Sequence, residues 1–243
     1  MLIACLNGGA TRADHPAVPL TPRELADSAR SVAAAGAQAV HVHPRSASGA
    51  QSLAPSDVLP AVAAIRAATG LPVGVTTGIW TVSGDVSRRL ALVAGWTGPD
   101  KPDFASINVN EPGIDDLADL LIADLGIPVE AGVWTVRDVD LLAASSLAGR
   151  ASWILLEPTS QVGAEAVAVT AAASSALHAL GITVPQVHHG YGLATWDVIR
   201  WAVAAGFDAR VGLEDTTVLP DGTVAAGNAD LVAAAAQLAG RTS

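Results

Sequence analysis

The sequence predicts an α/β protein, a single (β/α)8 TIM barrel spanning residues 1–243, and three observations carry that expectation. Strand-like and helix-like runs alternate eight times; no linker or composition break divides them; and the polar residues capable of chemistry gather at the C-terminal ends of the strand-like runs. Strict β/α alternation implies a parallel sheet. Eight units inside one domain length of about 250 residues imply closure into a barrel. An open, doubly wound sheet is the runner-up, but a nucleotide-binding sheet of that kind carries G-x-G-x-x-G after its first strand. Here that turn reads Asn7-Gly8-Gly9-Ala10-Thr11-Arg12.

The first strand is read at Leu2–Leu6. Thr21-Pro22-Arg23-Glu24 then opens a helix with a capping box and proline at the first helical position. The second to fourth strands are Ala39–His43, Val73–Thr77 and Phe104–Asn108, and the fifth is Val129–Val133. Thr135 with Asp138 repeats the capping pattern before the next helix. Strands six to eight are Trp153–Glu157, Gln186–His189 and Ala209–Leu213, and Asn228 is expected to cap the last helix. Gly36, Gly70, Gly126, Gly181 and Gly206 each fall between a helix-like run and the next strand, the usual C-terminal stop.

Composition narrows the function classes. Hydrophobic residues make up 51% of the chain and charged ones 15%, enough for a large core and too apolar for disorder. Much of the apolar count is alanine in helical stretches, and every apolar run breaks well short of the roughly 20 residues that cross a bilayer. No membrane partner is expected. A formal net charge of −10 lacks the phosphate-neutralising surface that nucleic-acid binding needs. The one cysteine, Cys5, excludes an intramolecular disulfide and, with no export signal in view, fits the cytoplasm. Lys101 is the only lysine, so any chemistry that needs a barrel lysine must use it.

In a barrel, the C-terminal strand ends face a common site. They read Asn7; His41 and His43; Thr76 and Thr77; Asn108, Asn110 and Glu111; Glu130; Glu157; His188 and His189; and Glu214 with Asp215. The opposite ends hold no comparable set. His41-Val42-His43 is the sharpest feature, because a strand repeats every two residues and aims both imidazoles at one face. Two histidines so placed can chelate a cation while leaving positions open for substrate. Arg210 and Glu214 share parity on strand eight. Of the adjacent His188 and His189, at most one faces the site, and His189, nearer the rim, serves there or supports a residue that does. Gly190-Tyr191-Gly192 sits where barrels often bind phosphate, although a plain tight turn accounts for it more simply. Trp80 and Trp134 either wall a pocket or pack helices onto the barrel. Arg45, two residues beyond His43, is placed to reach a substrate carboxylate.

With these residues in view, the chain resembles the β-keto acid cleavage enzymes from Leu2 to about Val232. The resemblance rests on Leu20-Thr21-Pro22-Arg23-Glu24, on Ala35-Gly36-Ala37 leading into His41-Val42-His43-Pro44-Arg45, on Arg210-Val211-Gly212-Leu213-Glu214-Asp215, and on Asn228-Ala229-Asp230-Leu231-Val232. It implies zinc, or another divalent metal, on His41, His43 and Glu214. It assigns the catalytic base to Asp215 with support from Arg210, and substrate contacts to Thr76 and Ser106, with Asn108 nearby. Glu130 and Arg45 complete the expected substrate-binding set. The implied reaction joins a β-keto acid to acetyl-CoA and yields a new CoA thioester and acetoacetate. A homo-oligomer, dimer or tetramer, is expected.

The chain departs from the family pattern after strand one, where Gly8-Gly9-Ala10 stands in place of a usual glutamate, and at His189, which replaces a small residue. An uncharged wall there favours an uncharged or anionic β-keto acid over an amino-substituted one, unless Glu130 supplies the carboxylate. Two other classes stay open. A hydrolase of amidohydrolase type also uses H-x-H, but on the first strand and with a lysine midway round, whereas Lys101 lies at the wrong end of strand four. A non-catalytic barrel that binds a small carboxylate would suit the lost glutamate, but not the retention of Arg210, Glu214 and Asp215 together.

Overall fold

Each strand-like run forms a strand within two residues of the expected ends. The computed structural model describes residues 1–240. Strands β1 (Leu2–Cys5), β2 (Ala39–Val42), β3 (Val73–Thr76), β4 (Phe104–Asn108), β5 (Val129–Val133), β6 (Trp153–Leu156), β7 (Gln186–His188) and β8 (Asp208–Val211) pair in sequence order, all parallel. The ring closes where β1 pairs β8, with Leu2 opposite Ala209 and Ile3 opposite Arg210. Closure removes the open-sheet alternative.

Helices α1 (Pro22–Ala34), α2 (Pro55–Thr69), α3 (Val86–Val93), α4 (Ile114–Asp119, continued by a π-turn), α5 (Val136–Ala144), α6 (Gly163–Ala179), α7 (Thr195–Ala204) and α8 (Asn228–Leu238) surround the barrel. The two expected capping boxes form, at Thr21 with Glu24 and at Thr135 with Asp138. Asn228 does not cap α8. It is the first helical residue, buried, and it accepts from the Leu213 amide at 2.8 Å and donates to the Leu6 carbonyl at 2.9 Å. It thereby ties the rim ends of the first and last strands together.

Strand parity sorts the core into two layers. Ile3, Cys5, Ala39, Phe104, Leu155 and Val187 pack with one another in the barrel interior. Their alternates, such as Leu2, Ala4, Val40, Val42 and Val211, face the helices. Burying each large aliphatic side chain contributes about 1.5–3 kcal/mol, so a one-residue slip would move a strand's whole apolar set to the wrong layer. That penalty fixes the parity that delivers His41 and Arg210 to the interior. Lys101 lies at the opposite end, donating to the Leu125 carbonyl. Among the described residues, no helix is long and apolar enough to cross a membrane.

Candidate metal centre and active site

The β2 end is anchored before any chemistry enters. Asn7 Oδ1 accepts from the His43 amide at 2.8 Å, and Asn7 Nδ2 donates to the His43 carbonyl at 2.9 Å, a two-point latch between the first two strands. It sets His43 beside His41, with their Nε2 atoms 3.2 Å apart. Glu214 reaches in from beyond β8, with Oε1 at 3.5 Å from His43 Nε2 and Oε2 at 4.0 Å from His41 Nε2. Gly8, at φ +46°, lets the loop after β1 close over this group, since a Cβ there would collide with the Glu214 side chain.

Burial drives His41 well below the usual imidazole value, against the pull of Glu214. For Glu214 burial acts upward, but Arg210, His43 and His41 outweigh it and hold the carboxyl well below its ordinary range. Ligand atoms of His41, His43 and Glu214 all lie within 4.8 Å of one another. Glu214 Oε2 is buried without a hydrogen-bond partner among the described residues. Two imidazoles and an ionised carboxylate converging on one point, with an acceptor left over, fit a divalent cation, and the N,N,O donor set suits zinc.

Beside this group stands a second, built from β6, β7 and β8. Arg210 Nη2 donates to Glu214 Oε1 at 2.6 Å and to Asp215 Oδ1 at 3.2 Å. His189 bridges two acids, with Nδ1 at 3.2 Å from Asp215 Oδ1 and Nε2 at 3.1 Å from Glu157 Oε2. Burial and Arg210 act to lower the His189 pKa, but Asp215 and Glu157 prevail and it is pushed up to about 9. Asp215 Oδ1 is thus held twice, while Oδ2 is buried and without a partner among the described residues. Glu157 Oε1 accepts from Trp134 Nε1 at 2.7 Å.

Both groups open into one cavity of about 750 Å³ at the C-terminal end of the barrel. His41, His43, Thr76, Ser106, Asn108, Arg210, Glu214 and Asp215 all line it, as do Trp80, Trp134, Glu157 and His189. Two expected site residues do not. Glu130 is the second residue of β5, fully buried and turned to Trp153, whose Nε1 donates to its Oε2 at 2.5 Å. Burial pushes its pKa up to about 7, opposed by Arg210 and the indole bond. It therefore does not stand in for a rim carboxylate. Arg45 spends its guanidinium on the loop, donating to the Gly8 and Ala10 carbonyls at 2.6 and 2.9 Å, and it braces the loop instead of reaching the cavity. The Gly190–Gly192 segment is a turn tied back to β8 by the Gly192 amide on the Asp215 carbonyl at 2.8 Å.

Glu157 stood among the strand-end acids in the sequence, but nothing there singled it out. Gln51 had no sequence signal at all. It meets the site because its loop folds back on Arg45 in an isolated antiparallel bridge.

The family model for beta-keto acid cleavage enzymes matches residues 1–243. A 3-oxoadipate:acetyl-CoA acetyltransferase from Cupriavidus necator is 28% identical over 244 residues, covering 93% of this chain and 82% of that protein. Among solved structures, ObcA in a binary complex with oxaloacetate superposes with a TM-score of 0.73 at 17% identity, over 90% of this chain. The chain spans 62% of the ObcA chain. A 3-dehydroquinate dehydratase from Geobacillus kaustophilus matches with a TM-score of 0.60 at 13% identity, over 98% of this chain and 89% of that one, a likeness of fold.

Proposed function

The chain belongs to the beta-keto acid cleavage enzyme family, and on that premise we propose that it condenses a β-keto acid with acetyl-CoA to give a new CoA thioester and acetoacetate. The observation that carries this reading is the state of Asp215. It lines the cavity beside the His41–His43–Glu214 group with Oδ1 held by Arg210 and His189 and Oδ2 uncommitted. A carboxylate oriented through one oxygen and free at the other is suited to act as a general base.

Zinc or a similar divalent cation, held by His41, His43 and Glu214, would supply positive charge against the negative charge that develops on the keto and carboxylate oxygens. Asp215 takes the proton from the carbon between the two carbonyls. That carbon attacks the acetyl thioester and releases the CoA thiolate. The thiolate then attacks the original keto carbon, the bond between the two substrate carbons breaks, and Asp215 returns its proton to the acetoacetate carbon. Arg210 holds both Glu214 and Asp215, so the charge of the base stays balanced while its proton comes and goes. Thr76, Ser106 and Asn108 are the polar groups on the opposite wall available to orient the substrate. The name of the Cupriavidus necator relative supports acetyl-CoA as the second substrate. With Cys5 buried and free, the same reading makes the protein cytoplasmic.

A substrate without an ammonium group is favoured. Glu157 is already committed to Trp134 and His189, Glu130 is turned to Trp153, and Asp14 accepts from Thr11 of its own loop. Among the described cavity-lining residues outside the catalytic group, Asp14 keeps an uncommitted carboxylate oxygen but stands exposed at the mouth, so an ammonium group buried deeper would be left unpaired, at a cost of several kcal/mol.

The test is an acetoacetate-release assay with alkyl, anionic and amino-bearing β-keto acids, paired with deuterium exchange into the bound acid. Asp215→Asn should keep its metal and slow exchange by about 10² to 10⁴. Exchange at the wild-type rate moves the base elsewhere. A higher kcat/KM for the amino compound removes the substrate preference.

A further inference from the structure

Two segments from separate parts of the chain, those of Gln51 and Trp80, meet behind His43. The Trp80 indole, on the 3-10 turn Ile79–Val82 after β3, lies roughly parallel to the His43 ring, with centroids 6.2 Å apart and planes at 27°. Its Nε1 donates to Gln51 Oε1 at 3.1 Å. The same Gln51 oxygen lies 2.6 Å from His43 Nδ1. No such partner backs His41, whose Nδ1 is buried and unbonded among the described residues.

These contacts determine where the His43 proton sits. An indole N–H can only donate, so the Gln51 atom facing it must be the carbonyl oxygen, not the amide nitrogen. A carbonyl oxygen can only accept, so His43 Nδ1 must carry a hydrogen to approach it at 2.6 Å. In the neutral ring one nitrogen donates and the other accepts, which leaves the Nε2 lone pair exposed. That nitrogen faces His41 Nε2 at 3.2 Å and Glu214 Oε1 at 3.5 Å.

We propose that Gln51 and Trp80 form a tautomer lock, positioning residues that hold the His43 Nε2 lone pair toward a divalent cation shared with His41 and Glu214. The inference rests on the metal reading of that triad and adds a determinant outside it. Trp80 acts at one remove: its donor fixes the Gln51 amide, and the amide fixes the imidazole. Without the indole, the amide is free to flip and offer its NH2 to Nδ1. The ring would then favour the opposite tautomer, whose Nε2–H points into the cation site. Such outer partners of metal-binding histidines are worth about 10- to 100-fold in metal affinity.

The experiment uses the full chain, zinc alone as the probe, and two readouts. Chelator competition gives zinc affinity, and long-range 1H–15N NMR of the metal-free protein gives the His43 tautomer. Gln51→Ala should weaken zinc binding about 10- to 100-fold. Trp80→Phe, which keeps a stacked ring but loses the donor, should weaken it several-fold and shift His43 toward the Nε2–H form. Gln51→Glu, which keeps acceptors for both donors, should bind at least as tightly as the parent. Wild-type affinity and an unchanged Nδ1–H signal in both Gln51→Ala and Trp80→Phe overturn the lock. His43→Ala is the separate control: if it binds zinc as the wild-type chain does, the metal reading fails, and the lock loses its purpose with it. The metal-free tautomer signal judges the Gln51–Trp80 relay in either case.

Discussion

The chain carries two histidine pairs at strand ends, and the barrel uses them in opposite ways. His41 and His43, spaced by two at the end of β2, both enter the cavity, 3.2 Å apart at Nε2. His188 and His189, adjacent at the end of β7, part company. His189 enters and is gripped by Asp215 and Glu157. His188 leaves the barrel on the helix side, packed at 5.3 Å from the Trp201 ring and 4.6 Å from the Phe207 ring, with neither nitrogen bonded among the described residues. Burial, with His189 adding to it, drives His188 down to about 3, whereas the acids around His189 lift it to about 9. Adjacent imidazoles thus differ in charge because one faces carboxylates and the other faces indole and phenyl rings. Residue type supplies the chemistry, and strand parity decides whether it is used.

The largest effect should come from the β2 pair. His41→Ala or His43→Ala should empty the cation site and lower activity by about 10³-fold or more, since several kcal/mol of charge stabilisation go with the ion. Both variants should keep the barrel. Full metal occupancy by elemental analysis in the two of them would erase the contrast between the pairs.

A smaller effect is expected at the inward member of the second pair. His189→Asn removes the cation between Asp215 and Glu157. The lost charge-assisted hydrogen bonds are worth about 1.5–3 kcal/mol each, so kcat should fall about 10- to 100-fold with metal content unchanged. An unaltered kcat would make His189 a packing residue like its neighbour, and loss of metal would assign it to the other group.

The smallest effect belongs to His188, and it concerns stability. His188→Leu replaces an unbonded buried ring with an apolar side chain of similar size and should be neutral or stabilising by about 1 kcal/mol at pH 7. Its pH signature is sharper. The folded-state pKa of about 3 lies below the unfolded value near 6.5, so above pH 6.5 protonation of this site costs the fold nothing. As pH falls from there toward 3, only the unfolded chain takes up the proton, and stability is lost. Urea unfolding at pH 7 and pH 5 should show wild-type losing more stability than His188→Leu across that interval. Equal losses would mean that His188 is protonated in the fold.

The sequence by itself determined a good deal of this protein. Alternation of strand and helix, capping at Thr21 and Thr135, and the inward parity of His41, His43 and Arg210 are all consequences of short-range geometry, and each needs only a few neighbouring residues to be read. Tertiary structure decided the rest. Glu130 has the correct parity but, as the second residue of Val129–Val133, it enters well below the rim, and only the pairing of β5 with β6 brings Trp153 to claim it. Arg45 lies beside the metal ligands in sequence yet turns to the Gly8 and Ala10 carbonyls, more than thirty residues away along the chain. Gln51, Trp80, Glu157 and His189 acquire their roles from partners on other strands and loops. A polar side chain bonds to whatever donor or acceptor the fold brings within about 3 Å, and only closure of the barrel sets which groups those are.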